Sequence, residues 1–318
     1  MVQTEDEYED LLGLWSDLEA GLGIVLGNPA SVQEFEQRVW QYDRWLQALL
    51  ERDTDLGLYL LFQLATNSAV GYSALHALVS AMLCHLVASG LALPGNERDS
   101  LVHAAMTMNM AMTALQDQLA VQSERPSAEQ QNAIQAHSAQ GVLLLANFGI
   151  VDKLWLDTVA LHHNENNGQN ALASMTPAHR LARILQRVDR YAAMISPRKS
   201  REGRTATDSA NLIIANSKAQ QDEVGQALVA AVGWYPPGTY VRLDNQALAV
   251  VTHRTGLPGQ PVVAIVINEA GALLKPPRLH RLTDGSPGIK ATLTTSAVHF
   301  HLNHHLILRL GADPSLVS

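Results

Sequence analysis

Five residues spread through the middle of the sequence carry side chains that bind divalent metal ions. They are His76, His137, the adjacent pair His162 and His163, and Asp189. Imidazole and carboxylate groups are ligands that divalent transition metals prefer. Consecutive residues on a helix point about 100° apart, so His162 and His163 either share one ion near a helix end or bind two neighbouring ions. The sequence "NENNG" directly after them predicts such an end.

The segments that position these residues have helical periodicity. Apolar residues recur three and four positions apart in "EYEDLLGLWSDLEAGLGIVL" and "SVQEFEQRVWQYDRWLQALLERD", and similar patterns continue to "DSANLIIANSKAQQDEVGQALVAAVG". Pro126 and Ser127 are expected to open the helix that carries His137. From "WYPPGTYVRL" onward, turn residues alternate with β-formers, which predicts strands at "TYVRL", "ALAVVTHR", "PVVAIVIN" and "KATLTTSAVHFHL". We therefore expect a mainly α protein with a helical N-terminal region (1–70), a helical domain (71–232) and a small β-rich C-terminal module (233–318).

Composition excludes several classes of protein. The formal net charge of −8 argues against general nucleic-acid binding, which depends on neutralising phosphates. A single cysteine, Cys84, rules out a disulfide framework and suits the reducing cytoplasm, where we place the protein. The apolar run "VGYSALHALVSAMLCHLVASGLAL" is long enough to cross a bilayer, but it contains His76 and His85 and lacks a basic flank. We expect a buried helix there and no membrane span.

The order of these motifs resembles the HD-GYP domain family, bacterial hydrolases of cyclic di-GMP within the HD phosphohydrolase superfamily. The resemblance runs from about Tyr72 to Leu228, and it implies a helical HD-GYP-like bundle that acts in bacterial cyclic di-GMP signalling. Four segments carry it: His76 on its helix, "HSAQGVLLL" with His137 and Gly141, "HHNENNG" with His162, His163 and Gly168, and "RILQRVDRYAAMISPRKSR" with Arg183, Asp189, Tyr191, Arg198 and Arg201.

The sequence departs from the family pattern at the residues that do the chemistry. The family's HD pair, whose aspartate bridges two metal ions, falls without a gap on Met108 and Asn109. Asn109 carries no charge, and the Met108 thioether is a poor ligand for hard divalent ions. Further losses are the family's lysine at Met112, its glutamate at Asn164, its aspartate at Asn167 and its GYP at Asn170-Ala171-Leu172. We therefore expect that the dinuclear centre does not assemble and that catalysis is absent.

The remaining ligands leave two alternatives open. The resemblance implies that His76 and Asp189 remain from the first metal's shell, and His137, His162 and His163 from the second. Three imidazoles can hold a single ion of the zinc, manganese or iron type with an open position for water. In the other alternative no metal binds, and the histidines are hydrogen-bonded in a polar core.

Two further clusters allow a structural or a functional interpretation. Arg198 and Arg201 lie in "SPRKSREGR", the most basic run of this acidic protein. Charge runs are usually solvated loops, but guanidinium groups match phosphate oxygens, and the family uses an arginine here near the nucleotide. For the histidines of "HFHLNHH" we favour a structural role over a metal site, since no carboxylate or cysteine accompanies His299, His301, His304 and His305.

Taken together, the sequence indicates a cytoplasmic signalling protein with a degenerate HD-GYP domain. It is expected to bind cyclic di-GMP or a protein partner, and a homodimer is possible. One alternative is an active metal-dependent phosphodiesterase in which Asp117, His103 or His85 restores the site. Another is a purely structural interaction module whose pocket binds nothing.

Overall fold

The structure is a computed structural model of the 318-residue chain. It describes residues 5–67, 71–164, 171–200, 203–215, 222–257, 259–283, 285, 287–298 and 302–311.

The described residues form twelve α-helices and one five-stranded sheet. The helices are α1 (Glu5–Gly27), α2 (Phe35–Arg52), α3 (Thr54–Asn67), α4 (Tyr72–Gly90), α5 (Gly95–Thr107), α6 (Thr113–Val121), α7 (Ala128–Asn147), α8 (Lys153–Leu161), α9 (Pro177–Ile195), α10 (Ala206–Ala215), α11 (Glu223–Val232) and α12 (His304–Gly311). The strands are β1 (Tyr240–Leu243), β2 (Leu248–His253), β3 (Val262–Ile267), β4 (Leu273–Arg281) and β5 (Ile289–Leu293). The predicted mainly α fold with a small β-rich C-terminal part is confirmed.

Polar caps fix where the helices of the candidate ligands begin. Ser127 caps α7 as expected: its hydroxyl accepts from the Gln130 N–H, and the Gln130 side chain accepts from the Ser127 N–H in return. Asp152 caps α8 by accepting from the N–H groups of Leu154 and Trp155. Each cap satisfies backbone donors that would otherwise lack a partner.

Helix α4, which carries His76, is the central helix of the protein. Fourteen of its residues are buried, in a nearly continuous run from Ser73 to Ala88, and it contacts α1, α5, α9 and α11. By length and composition alone α4 could cross a membrane, but 78% of its most apolar window is buried inside the protein. This burial agrees with the expected core helix.

The strands form one antiparallel sheet in the order β4-β3-β2-β1-β5. Because side chains alternate between the two faces of a strand, the sheet has two apolar sides. Val250, Ala264 and Val266 join the main core formed by the helices. The alternate residues, among them Val251 and Val263, pack into a second, smaller core.

Some predicted boundaries were wrong. Strand β4 was missed because it contains Pro276 and Pro277, residues that usually argue against a strand. Here β4 is an edge strand, and the prolines fall where its pairing with β3 shifts register between Arg278 and Leu273. The last predicted strand covers only Ile289–Leu293. The stretch expected as one final helix contains two helices, α10 and α11.

The N-terminal helices and the sheet share contacts with the central helices. The main core includes buried residues from Leu11 to Leu308. Asp55 on α3 pairs with Arg254 after β2, with 2.5 Å between Oδ1 and Nε. The division at residues 70 and 232 stays a prediction.

The packing of α3 against the sheet can be tested at Gly238. Its φ is +88°, and a Cβ there would lie 3.1 Å from the carbonyl oxygen of Tyr59. Gly259, with φ +79° and no neighbour within 4 Å of a built Cβ, is the matched control. We expect Gly259→Ala to lower the free energy of unfolding by about 1 kcal/mol through backbone strain, and Gly238→Ala by at least about 2 kcal/mol. Urea unfolding measures both, and equal losses would contradict the close approach.

Candidate functional site

The adjacent histidines lie at the helix end that the sequence predicts. Helix α8 stops at Leu161, His162 is its C-terminal cap, and His163 follows in the turn. His162 is fully buried, while His163 is exposed to solvent. The turn brings both rings to the same side, with 4.0 Å between their centroids.

His137 on α7 completes a cluster of three imidazoles, which we call the histidine cluster (His137, His162 and His163). One ring nitrogen from each residue lies within 4.8 Å of the other two. The Nε2 atoms of His137 and His162 are 3.3 Å apart. Both of these side chains are buried, with 1% and 0% exposure. The histidine cluster therefore has a buried side and a solvent-facing side.

Backbone carbonyls determine which nitrogens of the cluster are free. The Nδ1 atom of His137 lies 2.5 Å from the Ile134 oxygen, and that of His162 lies 2.7 Å from the Val159 oxygen. A carbonyl oxygen only accepts, so each Nδ1 carries the hydrogen. Burial lowers the pKa of both imidazoles, that of His162 to about 4. In the neutral rings, the two Nε2 atoms face each other as acceptors and cannot hydrogen-bond to one another, while the Ser138 hydroxyl lies 3.5 Å from His137 Nε2.

This geometry fits one zinc-type ion. Two imidazole ligands of a tetrahedral zinc ion, each with a Zn–N distance of about 2.0–2.1 Å, have their nitrogens about 3.3 Å apart. The Nε2 atoms of His137 and His162 have that spacing. Metal-bound histidines commonly donate their other N–H to a carbonyl, which orients the ring, as Ile134 and Val159 do here.

The other two candidate ligands are bonded to each other. His76 Nε2 donates to Asp189 Oδ1 at 2.8 Å. Burial would raise the pKa of Asp189, but the hydrogen bond and charge of His76 outweigh it and hold that pKa at about 2. Asp189 is therefore ionised, and its partner is an imidazole from the protein. The buried Nδ1 of His76 has no hydrogen-bond partner among the described residues.

The positions of the family's HD pair offer no strong ligand. Met108 is 1% exposed and lies in the turn after α5. Its carbonyl oxygen would be 3.7 Å from a Cβ built at Gly141, so the turn after α5 is in contact with α7 there. Asn109 precedes a 3₁₀ turn and is half-buried. Among the described residues, the histidine cluster alone brings three histidine, cysteine or carboxylate ligand atoms this close together.

Tyr72, a residue without a predicted role, holds Arg198 beside the His76–Asp189 pair. Tyr72 stacks on the His76 ring at 5.7 Å, and the Arg198 guanidinium lies 4.6 Å from the centre of the Tyr72 ring. Arg198 Nη2 also donates to the Tyr72 hydroxyl at 2.9 Å. The signal was present in the sequence, since Tyr72 precedes His76 by one helical turn.

Several residues named in the sequence analysis lie elsewhere or are not described. Arg201, Asn167, Gly168, Asn170, His299 and His301 lie outside the described residues. The ring nitrogens of His304 hydrogen-bond to two tyrosine hydroxyls: Nδ1 to Tyr59 at 2.8 Å and Nε2 to Tyr240 at 3.3 Å. These contacts give His304 a structural role. His305, like His304, lies in the first turn of α12.

The residues considered as replacement ligands have other environments. Both carboxylate oxygens of Asp117 accept from Ser73, through its N–H at 2.7 Å and its hydroxyl at 3.0 Å. Asp117 therefore caps α4. His103 pairs with Asp43 of α2 at 3.1 Å. His85 lies within α4, and burial lowers its pKa. None of the three belongs to the histidine cluster.

Comparison with known proteins identifies the fold. No protein-family model matches the chain, and no curated protein matches it. Among solved structures, the chain is similar to Bd1817, an HDG"Y"P protein from Bdellovibrio bacteriovorus, with a TM-score of 0.50 and 14% sequence identity. The match covers 68% of this chain and 69% of that chain. The chain has an HD-GYP-like fold.

At this low identity the likeness establishes the HD-GYP-like fold alone, and it carries no residue roles. The roles rest on the geometry of this chain. Within its HD-GYP-like fold, three imidazoles converge while His76 and Asp189 hydrogen-bond to each other.

Metal content tests the histidine cluster. After equilibration with Zn²⁺ and desalting, we expect about one zinc per chain by elemental analysis, because three imidazoles suffice for a zinc site. His137→Gln and His162→Gln should each lose most of the metal. His179→Gln is the control, since His179 is exposed on α9 and bonds Thr176. A full complement of zinc in the His137→Gln protein, or none in the unaltered protein, would contradict the site.

Proposed function

We propose that this HD-GYP-like protein is a signalling protein that binds cyclic di-GMP without hydrolysing it. In this proposal the histidine cluster holds one divalent ion, and Arg198 binds a phosphate of the nucleotide. The ion would supply a positive charge and an open position for an oxygen ligand. The single observation that carries the proposal is the convergence of three imidazoles in a chain that has the neutral Asn109 at the family position of the bridging carboxylate.

The absence of hydrolysis follows from charge. Two divalent cations about 4 Å apart repel each other by roughly 4 kcal/mol even in water, and by more inside a protein. A bridging carboxylate offsets this repulsion, and the Asn109 amide is neutral. Asp189 is the nearest candidate for the missing charge, but His76 already engages it at 2.8 Å. A phosphodiester bound here would meet one ion instead of two.

The binding of an anion is supported by the surroundings of Arg198. Its guanidinium is half-buried and fixed on the Tyr72 ring, so little side-chain entropy remains to be lost on binding. Lys199 and Arg204 flank it on the exposed loop. Guanidinium groups bind phosphate oxygens through paired N–H donors. The solvent-facing side of the histidine cluster at His163 leaves an approach for the ligand.

The other readings have less support. An active phosphodiesterase would need a carboxylate that is free to bridge two ions, but Asp189 is bonded to His76 and Asp117 caps α4. A protein partner or a homodimer remains compatible with a signalling role, and the cytoplasmic location remains an expectation. Nucleotide binding is the proposal that the charges around Arg198 favour.

Activity measurements test the inactive site. We expect no hydrolysis of cyclic di-GMP in the presence of Mn²⁺, Fe²⁺ or Ni²⁺, because no side chain bridges two ions. Product formation is followed by chromatography with an active HD-GYP enzyme as the positive control. Turnover that His137→Ala abolishes would show that the protein is an enzyme.

Calorimetric titration with cyclic di-GMP tests the binding site. Arg198→Gln should weaken binding about tenfold or more, since it removes a charge-assisted hydrogen bond. Lys199→Gln is the matched control: it removes an equal charge from the neighbouring exposed position and should have a smaller effect. Equal affinities for the Arg198→Gln protein and the unaltered protein would remove the arginine from the proposal.

Restoring the family residues tests the reason for inactivity. We expect the double variant Met108→His, Asn109→Asp to raise the metal content from about one ion per chain toward two, because it returns a ligand and a bridging carboxylate. The single variant Met108→His should stay near one. Circular dichroism checks the fold, since Met108 is buried. A double variant that folds and still binds one ion would show that the missing carboxylate is not the limiting feature.

A further inference from the structure

A second cleft lies between the N-terminal helices and the central helices. One wall is the face of α2 that carries Trp40, Arg44 and Gln47, and the opposite wall is formed by the first turns of α5 and α8. Its volume is about 740 Å³, which is within the range of small-molecule sites. We call it the α2–α5 cleft. None of the histidine cluster lines it.

Most charges in the α2–α5 cleft are already paired. Asp43 accepts from Gln47 at 2.8 Å and pairs with His103 at 3.1 Å. Burial would raise the pKa of Asp43, but these hydrogen bonds and the charges of His103 and Arg98 hold it below its usual value. Asp43 is therefore an ionised group with its partners in place.

The two remaining carboxylates of the cleft also have partners. Asp152 accepts from the Ser100 hydroxyl at 2.7 Å and from two backbone N–H groups of α8. Asp99 accepts from Arg98 Nε at 2.9 Å. A further cation would find no unpaired carboxylate among these residues.

Arg44 is the exception. It is exposed at the cleft and has no hydrogen bond or ion pair within the described part of the chain. Trp40 lies one helical turn before it on α2 and leaves 43% of its surface exposed, although tryptophan is among the most apolar side chains. An uncommitted guanidinium and an exposed indole therefore share one face of one helix.

We infer that the α2–α5 cleft binds a small planar aromatic anion. The ring stacks on the Trp40 indole, and the carboxylate or phosphate of the ligand binds the Arg44 guanidinium. The Ser100 hydroxyl donates to Asp152 and the Gln47 amide donates to Asp43, so the Ser100 Oγ and the Gln47 Oε1 remain as acceptors for a hydroxyl or N–H on the ring. Leu154 supplies an apolar contact at the opposite wall.

This site is separate from the proposed nucleotide site. Asp152 caps the start of α8 in the cleft, and His162 caps its end in the histidine cluster. Ten residues of helix span roughly 15 Å. The inference therefore stands or falls independently of the histidine cluster.

Calorimetric titration of the full chain with benzoate, 4-hydroxybenzoate, indole-3-acetate and phenyl phosphate tests the inference. We expect saturable binding of at least one of them, with a dissociation constant below about 1 mM. The neutral amide of that ligand, matched in shape, should bind at least about tenfold more weakly, because it cannot form the ionic contact with Arg44.

Variants with matched controls locate the site. Arg44→Gln and Trp40→Leu should each weaken binding about tenfold or more. Arg52→Gln changes another exposed arginine of α2, and Trp234→Leu changes another part-exposed tryptophan, 39% exposed, in a different groove. Both controls should bind as the unaltered protein does.

Three results would overturn the inference. The first is the absence of saturable binding for all four anions to the folded protein. The second is binding that Arg44→Gln and Trp40→Leu leave unchanged. A change in the protein's oligomeric state on Trp40→Leu without any effect on ligand binding would instead assign the exposed indole to a contact between copies of the chain, and this too would overturn it.

Discussion

The approach of two imidazole nitrogens, His137 Nε2 and His162 Nε2 at 3.3 Å, is the contact on which the site depends. Each ring has two nitrogens, and the other one in each case is bound to a carbonyl of the ring's own helix, three residues earlier. Two acceptor nitrogens that face each other in a buried place are unfavourable unless a donor or a cation lies between them. The packing of α7 against the end of α8 therefore sets the geometry on which the proposed single-ion site rests.

The other two candidate ligands contact each other. The buried His76 and the half-buried Asp189 form a hydrogen-bonded pair, and Tyr72 stacks on His76. Removal of one partner from such a pair leaves an unpaired polar group and is costly. In the proposed site, this pair engages one oxygen of the Asp189 carboxylate. Together with the neutral Asn109, it is the reason why we propose one ion and not two.

Helix α8 takes part in both the histidine cluster and the α2–α5 cleft. The buried Asp43–His103 pair joins α2 to α5, and His103 lies 5.0 Å from the ring of Trp155 on α8. The Trp155 indole donates to Thr107, the residue before Met108. The N-terminal helices are thus in polar contact with the elements that hold the family positions. The N-terminal helices also share one hydrophobic core with the central helices.

Sequence alone determined the helical periodicity, the change to β-structure near residue 233, the ligand types, and the loss of charge at Asn109, because each of these depends on residue identity and local spacing. It could not identify β4, since Pro276 and Pro277 are acceptable only on an edge strand, and sheet order is a tertiary property. It could not show which ligands meet. His137 and His162 are 25 residues apart in the sequence, and His76 and Asp189 are 113 apart. Only the packing of the helices decides that the Nε2 atoms of the first pair face each other and that the second pair forms a hydrogen bond.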